Sequence, residues 1–274
     1  DGGGGNDTLT GGDGQDTVLG GLGMDSISMS IEAGDRDQAS GGADSEGNSL
    51  LLTGTAAGTV VLDLGASSDQ LVSIGGIAEA LAQTGFASVD ASAMGGAAVS
   101  VTGSALGNVL RGTSMADTLD GGGGADRIYL VVGGGAYDQL DGGNGNEGDT
   151  LVLVGSPNGE LVVDLGAAPG TDQFLSENGV AEGITQSDFQ HVDASGITGI
   201  SGSDPGLTVF GNGADNVLLG TLGADTFVGR AGADSINMGG TYDSVAKKWT
   251  GDSATDLVVY VGPDDGWNTT GGAF

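Results

Sequence analysis

The stretch GGGGNDTLTGGDGQDTVLGGLGMDSIS, residues 2–28, divides into three nine-residue units of the form GGxGxDxUx, in which U is apolar. Three more units fill residues 103–129, and a further three fill residues 211–237. Glycine-rich residues before an isolated apolar residue predict a tight turn followed by a short strand, with U pointing inward. The repeats therefore predict an all-β protein, a parallel β-roll or β-helix solenoid with Gly/Asp-rich turns.

The sixth position of each unit holds an acid or its amide. Such a side chain beside glycine-rich backbone offers the hard oxygen ligands that Ca²⁺ prefers, but one unit cannot supply the roughly six to eight oxygens required. With two units per turn, the first and third units of a block stack on the same side and are expected to share an ion, as Asp7 with Asp25. The predicted metal ligands are Asp7, Asp16, Asp25, Asn108, Asp117, Asp126, Asn216, Asp225 and Asp234.

The first and fourth positions are expected to need glycine, because the turn takes positive φ there. Leu106, Met115 and Ala214 depart from this rule at position four, and position six is Asn at 108 and 216, so the opening units of the later blocks are weaker candidates for a full site. The eighth position predicts the core. Its residues are Leu9, Val18, Ile27, Leu110, Leu119, Ile128, Leu218, Phe227 and Ile236.

The charge of the chain favours divalent cations as partners. Thirty-seven acids against six Lys and Arg give a net charge of −31, which disfavours binding to nucleic acid or to an anionic membrane. There is no Cys, so disulfides do not contribute to stability. No apolar run reaches the roughly 18 residues that membrane insertion would need.

The segments between the blocks repeat as well. TVVLDLGA at 59–66 returns as ELVVDLGA at 160–167, which gives units of 1–102, 103–210 and an incomplete 211–274 in what we expect to be one continuous solenoid. Strands are predicted at 151–154 and 161–165. The segment IGGIAEALAQTGF, 74–86, predicts a helix of about two turns.

Two further patterns leave alternatives open. Acids recur in GGADSEGN, 41–48, and GGNGNEGD, 142–149, where additional ion sites and ordinary turn chemistry explain them about equally well. His191 precedes Asp193 and Ser195, but the first copy has Ser88 in place of the histidine, so a solenoid turn is favoured over a hydrolytic site.

The in-register units resemble the repeats-in-toxin (RTX) calcium-binding family, and the spacers resemble those of long RTX surface-layer and adhesin proteins. The resemblance implies type I secretion from a bacterium and folding on extracellular calcium. Because the sequence has a long tandem period and no catalytic constellation, we expect a non-enzymatic role in a surface layer, matrix filament or adhesin stalk, with self-association or further repeats. One alternative is the RTX tail of a secreted protease, lipase or epimerase. Another, sugar binding, would use exposed aromatic residues, for which the candidates are Tyr129, Tyr137, Tyr242 and Trp249.

Overall fold

The computed structural model describes residues 1–32, 36–42, 47–78, 81–134, 136–143, 148–181, 183–201, 204–239, 241–243, 248–250, 254, 256–259 and 265–269. Within these ranges all regular structure is β, as predicted, and no helix there could cross a membrane. The chain forms two compact units, Asp1–Ile128 with Asp138–Glu147, and Tyr129–Tyr137 with Gly148–Phe274. The division into three units of the sequence period stays a prediction.

Strands β1 to β17 include those of the first unit. They are β1 Gly3–Gly4, β2 Thr8–Thr10, β3 Thr17–Leu19, β4 Gly21–Leu22, β5 Ser26–Ser30, β6 Gln38–Ser40, β7 Ser49–Thr55, β8 Val60–Asp63, β9 Leu71–Ile74, β10 Ile77–Ala78, β11 Gln83–Thr84, β12 Ser88–Gly95, β13 Val99–Ser104, β14 Val109–Arg111, β15 Thr118–Gly122, β16 Arg127–Val132 and β17 Gln139–Asp141. In the first unit one sheet has the order β2-β5-β7-β12-β14, and a second has the order β10-β9-β8-β13-β15-β17. Smaller sheets are β11-β6-β3 and β1-β4.

The remaining strands belong to the second unit. They are β18 Thr150–Gly155, β19 Leu161–Asp164, β20 Phe174–Glu177, β21 Gln186–Ser187, β22 His191–Ile197, β23 Pro205–Phe210, β24 Val217–Leu219, β25 Ala224–Val228, β26 Gly232–Asn237, β27 Thr241–Asp243, β28 Lys248–Thr250, β29 Leu257–Val259 and β30 Asp265–Thr269. One sheet of this unit has the order β18-β22-β24-β26-β30, and another has the order β20-β19-β23-β25-β29. The strands predicted at 151–154 and 161–165 correspond to β18 and β19.

Parallel pairing confirms the coil of two nonapeptides per turn. Leu9 of β2 lies beside Ile27 of β5, and Leu218 of β24 lies beside Ile236 of β26. Within a block of three nonapeptides, the first and third nonapeptides therefore stack on one side, while the second lies on the other. This register places the sixth position of one nonapeptide next to the sixth position of the nonapeptide 18 residues later.

The core consists mostly of aliphatic side chains, and Phe174, Phe189 and Phe227 are also fully buried. Along β5 burial alternates, with Ile27 and Met29 fully buried and Ser26, Ser28 and Ser30 half-buried. All the predicted eighth-position residues are buried except Leu9, which is half-buried. Alternation along each short strand thus leaves the turns free to present polar groups.

The predicted helix at 74–86 is wrong. Its described residues, 74–78 and 81–86, instead contain an antiparallel pairing of β9 with β10, in which Ile77 is paired to Ile74, and the strand β11. Gly75 and Gly76 both take positive φ, 60° and 78°, which is the conformation that a two-residue hairpin turn requires. The helical spacing of apolar residues was outweighed by this glycine pair.

Candidate calcium-binding corners

We call positions one to six of each nonapeptide its corner. The sixth-position side chains form a ladder that joins successive corners. Asp25 Oδ1 accepts the backbone N–H of Asp7 at 2.9 Å, and Asn48 Oδ1 accepts the N–H of Asp25 at 2.7 Å. Because each side chain holds the backbone of the preceding coil, the sixth position fixes the stacking of the corners.

The ladder pairs the predicted ligands in two ways. The sixth-position residues of the first and third nonapeptides of a block pair with each other, as Asp7 does with Asp25. Second units pair with residues of the spacers. The further rungs run from Asn108 N–H to Asp126 Oδ1 at 2.6 Å, Asn216 N–H to Asp234 Oδ1 at 2.9 Å, Asp16 N–H to Asp37 Oδ1 at 3.0 Å, Asp117 N–H to Asp138 Oδ1 at 2.8 Å and Asp225 N–H to Asp256 Oδ1 at 3.0 Å.

The ladder therefore contains residues that the sequence analysis missed, namely Asp37, Asn48, Asp138 and Asp256. Asp37, Asn48 and Asp138 are buried, whereas the predicted ligand Asp16 is exposed. A Cβ on Gly11, the first residue of the Asp16 corner, would lie 2.4 Å from Asp37 Oδ2, so Asp37 occupies the space over this glycine. The recurrence of Asp-Gln at 37–38 and 138–139 is the sequence signal that could have identified two of these residues.

The first glycine of a corner is required for steric reasons, which corrects the expectation of positive φ there. A Cβ on Gly20 would lie 2.3 Å from Asp25 Oδ2 and 2.7 Å from the carbonyl oxygen of Gly41. At Gly2 the corresponding distances are 2.5 Å to Asp7 Oδ2 and 2.7 Å to the carbonyl oxygen of Gly20. Only glycine lets a carboxylate and a carbonyl of the next coil converge over the backbone.

These converging oxygens suit a cation. Among the described residues, the Oδ2 atoms of Asp7 and Asp25 are buried and accept no hydrogen bond. A buried, charged oxygen without a partner is costly, and a bound Ca²⁺ satisfies it. No group of three His, Cys, Asp or Glu side chains in the described part of the chain could hold a metal. The other oxygens at these places are backbone carbonyls such as those of Gly20 and Gly41.

The corners fall into two classes by backbone conformation. In five of them, which we call open corners, positions two and four both take positive φ, for example 112° at Gly21 and 117° at Gly23. The open corners are 2–7, 11–16, 20–25, 121–126 and 229–234. Position two is Gly in all but the last, where Arg230 has φ 66°.

The other four corners, which we call closed corners, have Ser, Thr or Asn at position two and no positive φ at positions two or four. In each, the N–H of position two donates to the position-six side chain. The pairs are Ser104 to Asn108 at 2.7 Å, Thr113 to Asp117 at 2.6 Å, Asn212 to Asn216 at 2.9 Å and Thr221 to Asp225 at 2.8 Å.

The position-two side chain makes a further hydrogen bond within the same corner. Its oxygen accepts the N–H of position four in all four closed corners. The distances are 3.1 Å from Leu106 to Ser104, 3.0 Å from Met115 to Thr113, 2.8 Å from Ala214 to Asn212 and 3.0 Å from Gly223 to Thr221. A closed corner is thus a small hydrogen-bonded turn of the type that Ser, Thr and Asn favour.

Burial makes several ladder carboxyls weak acids. Desolvation raises the pKa of Asp138 to about 7, against the opposing hydrogen bond from the Asp117 N–H. Desolvation likewise raises the pKa of Asp225 to about 6 and raises that of Asp117. These ladder carboxyls therefore bind protons more readily than exposed aspartates do.

The alternative sites of the sequence analysis have other partners. Ser195 Oγ donates to Asp193 Oδ1 at 2.6 Å, and His191 Nδ1 accepts the N–H of Val217 at 3.0 Å. The Tyr137 hydroxyl donates to the Glu177 carboxylate. Asp44, Glu46 and Glu147 lie outside the described residues, as do the side chains of Tyr242 and Trp249.

Comparison with known families agrees with this geometry. The family model described as the RTX calcium-binding nonapeptide repeat, 4 copies, matches residues 1–27, 102–130 and 210–245, the three blocks that contain all nine corners. These three segments are RTX repeats, and RTX nonapeptide repeats bind Ca²⁺. No curated protein matches the chain.

Proposed function

We propose that this chain is a calcium-gated structural segment of a secreted bacterial surface protein, forming part of a surface layer, a matrix filament or an adhesin stalk. We further propose that it has no catalytic role. The observation that carries the proposal is the ladder, in which the corner acids hold backbone N–H groups of the adjacent coil rather than converge on a reacting centre.

The mechanism follows from charge and burial. In the open corners Asp7 is half-buried and Asp25 is buried, and each has a buried Oδ2 that accepts no hydrogen bond. At a net charge of −31, these carboxylates oppose compaction. Bound Ca²⁺ supplies the compensating positive charge. The ladder then closes, and residues such as Ile27 become buried, so that binding free energy becomes folding free energy.

The ligands that we propose for the ions are the position-six carboxylates of the open corners, together with carbonyls of the next coil such as those of Gly20 and Gly41. This set contains five of the nine predicted ligands. They are Asp7, Asp16, Asp25, Asp126 and Asp234.

A calcium titration with a chelator control tests the proposal. Circular dichroism should show a gain of β-structure as calcium is added. Light scattering in the same samples separates the structural roles, because growth in size supports a self-assembling layer or filament, and folding without growth supports a stalk. Flanking sequence that encodes a protease or hydrolase would overturn the structural role in favour of an enzyme tail.

A further inference from the structure

We propose that position two of each nonapeptide determines whether its corner binds calcium, and that the four closed corners of this chain are built to fold without an ion. The inference rests on the proposed function, in that it takes open corners as the calcium sites. It goes further by assigning Ser104, Thr113, Asn212 and Thr221 as residues that replace the ion.

The position-two N–H is the group that differs. In the open corner at 2–7, the N–H of Gly3 donates to the carbonyl of Gly20 at 3.0 Å, and Asp7 Oδ2 receives no donor. In the closed corner at 112–117, the N–H of Thr113 instead points at Asp117 Oδ2. The closed backbone thus places a hydrogen-bond donor where the open backbone leaves a negatively charged oxygen for a cation.

Both carboxylate oxygens of a closed corner are then occupied. Asp117 Oδ1 accepts the N–H of Val99 at 2.7 Å, and Oδ2 accepts the N–H of Thr113 at 2.6 Å. The Thr113 hydroxyl lies 3.1 Å and 3.2 Å from the same two oxygens. Asp225 has the same arrangement with Leu207 and Thr221. Ion binding there would first have to break these bonds.

In two closed corners position six is asparagine, and its side-chain amide also takes the place proposed for the ion between adjacent coils. Asn108 Nδ2 donates to the carbonyl of Ala87 at 2.7 Å, and Asn216 Nδ2 donates to the carbonyl of Gln190 at 2.7 Å. In each case an amide nitrogen joins adjacent coils, a role that the ion has in an open corner. These corners carry no position-six charge for an ion to neutralise.

Arg230 shows that backbone conformation, rather than glycine itself, defines the class. It occupies position two with φ 66°, and its guanidinium is directed away from its own corner to Asp164 Oδ1 at 2.7 Å and to the Gly211 carbonyl at 2.7 Å. The corner stays open, so Asp234 belongs with the calcium ligands. The first block is then open throughout, while the second and third blocks each have two closed corners followed by an open one.

The sharpest test is Thr221→Gly, because Gly223 already occupies position four and the single change turns GTLGAD into the open pattern GGLGAD. We expect this variant to bind one more Ca²⁺ than the parent chain, as counted by native mass spectrometry. Thr221→Ser is the matched control: it keeps the hydroxyl and the N–H donor, and its ion count should equal that of the parent.

A folded T221G variant that binds the same number of ions as the parent overturns the inference while leaving the proposed function intact. A parent chain that binds no calcium overturns the proposed function itself. If T221G does not fold, the double variant T113G/M115G opens the corner at 112–117 in the same way, and its ion count must rise by one. A second measurement compares amide hydrogen exchange of the folded parent at partial and at full calcium occupancy. Full occupancy should slow exchange of the Gly21 amide and leave exchange of the Thr113 and Thr221 amides unchanged.

Discussion

Replacing Asp25 by asparagine should raise the stability of the fold in chelator and lower it in calcium. Asp25 is 2% exposed, and its Oδ1 accepts the N–H of Asp7 while Oδ2 accepts nothing. Asparagine keeps the first contact. The structure also contains a template for the second, since Asn48 Nδ2 donates to the carbonyl of Gly85 at 3.0 Å from the equivalent place over Gly41.

In chelator, Asp25→Asn removes a buried charged oxygen that has no partner, which costs about 1–3 kcal/mol. The asparagine amide also gains a hydrogen bond to the Gly41 carbonyl of the next coil. The free energy of unfolding should therefore rise by about 2 kcal/mol. In calcium the parent gains about 2.7 kcal/mol per site when the ion is at roughly 100 times its Kd, and the variant loses that contribution for this site. The variant should then be the less stable protein.

Refolding of both proteins by a stabilising osmolyte in chelator, and urea unfolding in saturating calcium, measure the two differences. Asp13→Asn is the control, because Asp13 is exposed at position three and its replacement changes the net charge equally. The control should shift stability slightly and in the same direction in both conditions. If Asp25→Asn behaved like Asp13→Asn, or were destabilised in chelator, the view of Asp25 as a buried ion ligand would be refuted.

Three further predictions concern the core, the strained corner and the histidine. Ile27→Ala should lower the free energy of unfolding by about 2–5 kcal/mol in urea melts, and Ile27→Val by about 0.5–1.5 kcal/mol, because Ile27 is fully buried; a cost below that of an exposed site would contradict the fold. Arg230→Gly should be more stable than Arg230→Ala by about 1 kcal/mol, since both lose the ion pair with Asp164 but only glycine adopts φ 66° without strain; equal stability in thermal melts would contradict this. Burial lowers the pKa of His191 in the folded state. The resulting stabilisation is fully present at pH values above the unfolded-state pKa and is lost as the pH falls through the lower folded-state pKa. As it is the only histidine, an NMR titration reads it directly, and a pKa above the ordinary value or no coupled shift of the Val217 amide would be the contrary result.

Much of the fold could be predicted from the sequence because it depends on local periodicity. Units of nine residues with one inward apolar side chain fix a coil of two units, and Leu9 beside Ile27 follows from that spacing alone. The hairpin at Gly75 and Gly76 was missed because apolar spacing in a short segment fits a helix equally well.

The corner chemistry could be predicted only in part. The nonapeptide pattern predicts all nine sixth positions as ligands and shows Leu106 and Met115 as departures at position four, but it does not connect these departures with position two. That connection depends on φ and on hydrogen bonds such as Thr113 to Asp117, which no spacing reveals. The spacer residue Asp37 was missed because its partner lies 21 residues away in a segment without the nonapeptide pattern.

The most direct test of the account is to measure bound calcium and β-structure in one titration of the parent chain, starting from excess chelator. The account predicts that the β-sheet signal rises together with ion occupancy, and that occupancy ends with at least one position-six site per block filled. A chain that keeps its complete β-sheet signal in excess chelator, with no metal bound, would contradict the claim that calcium holds the acidic corners together.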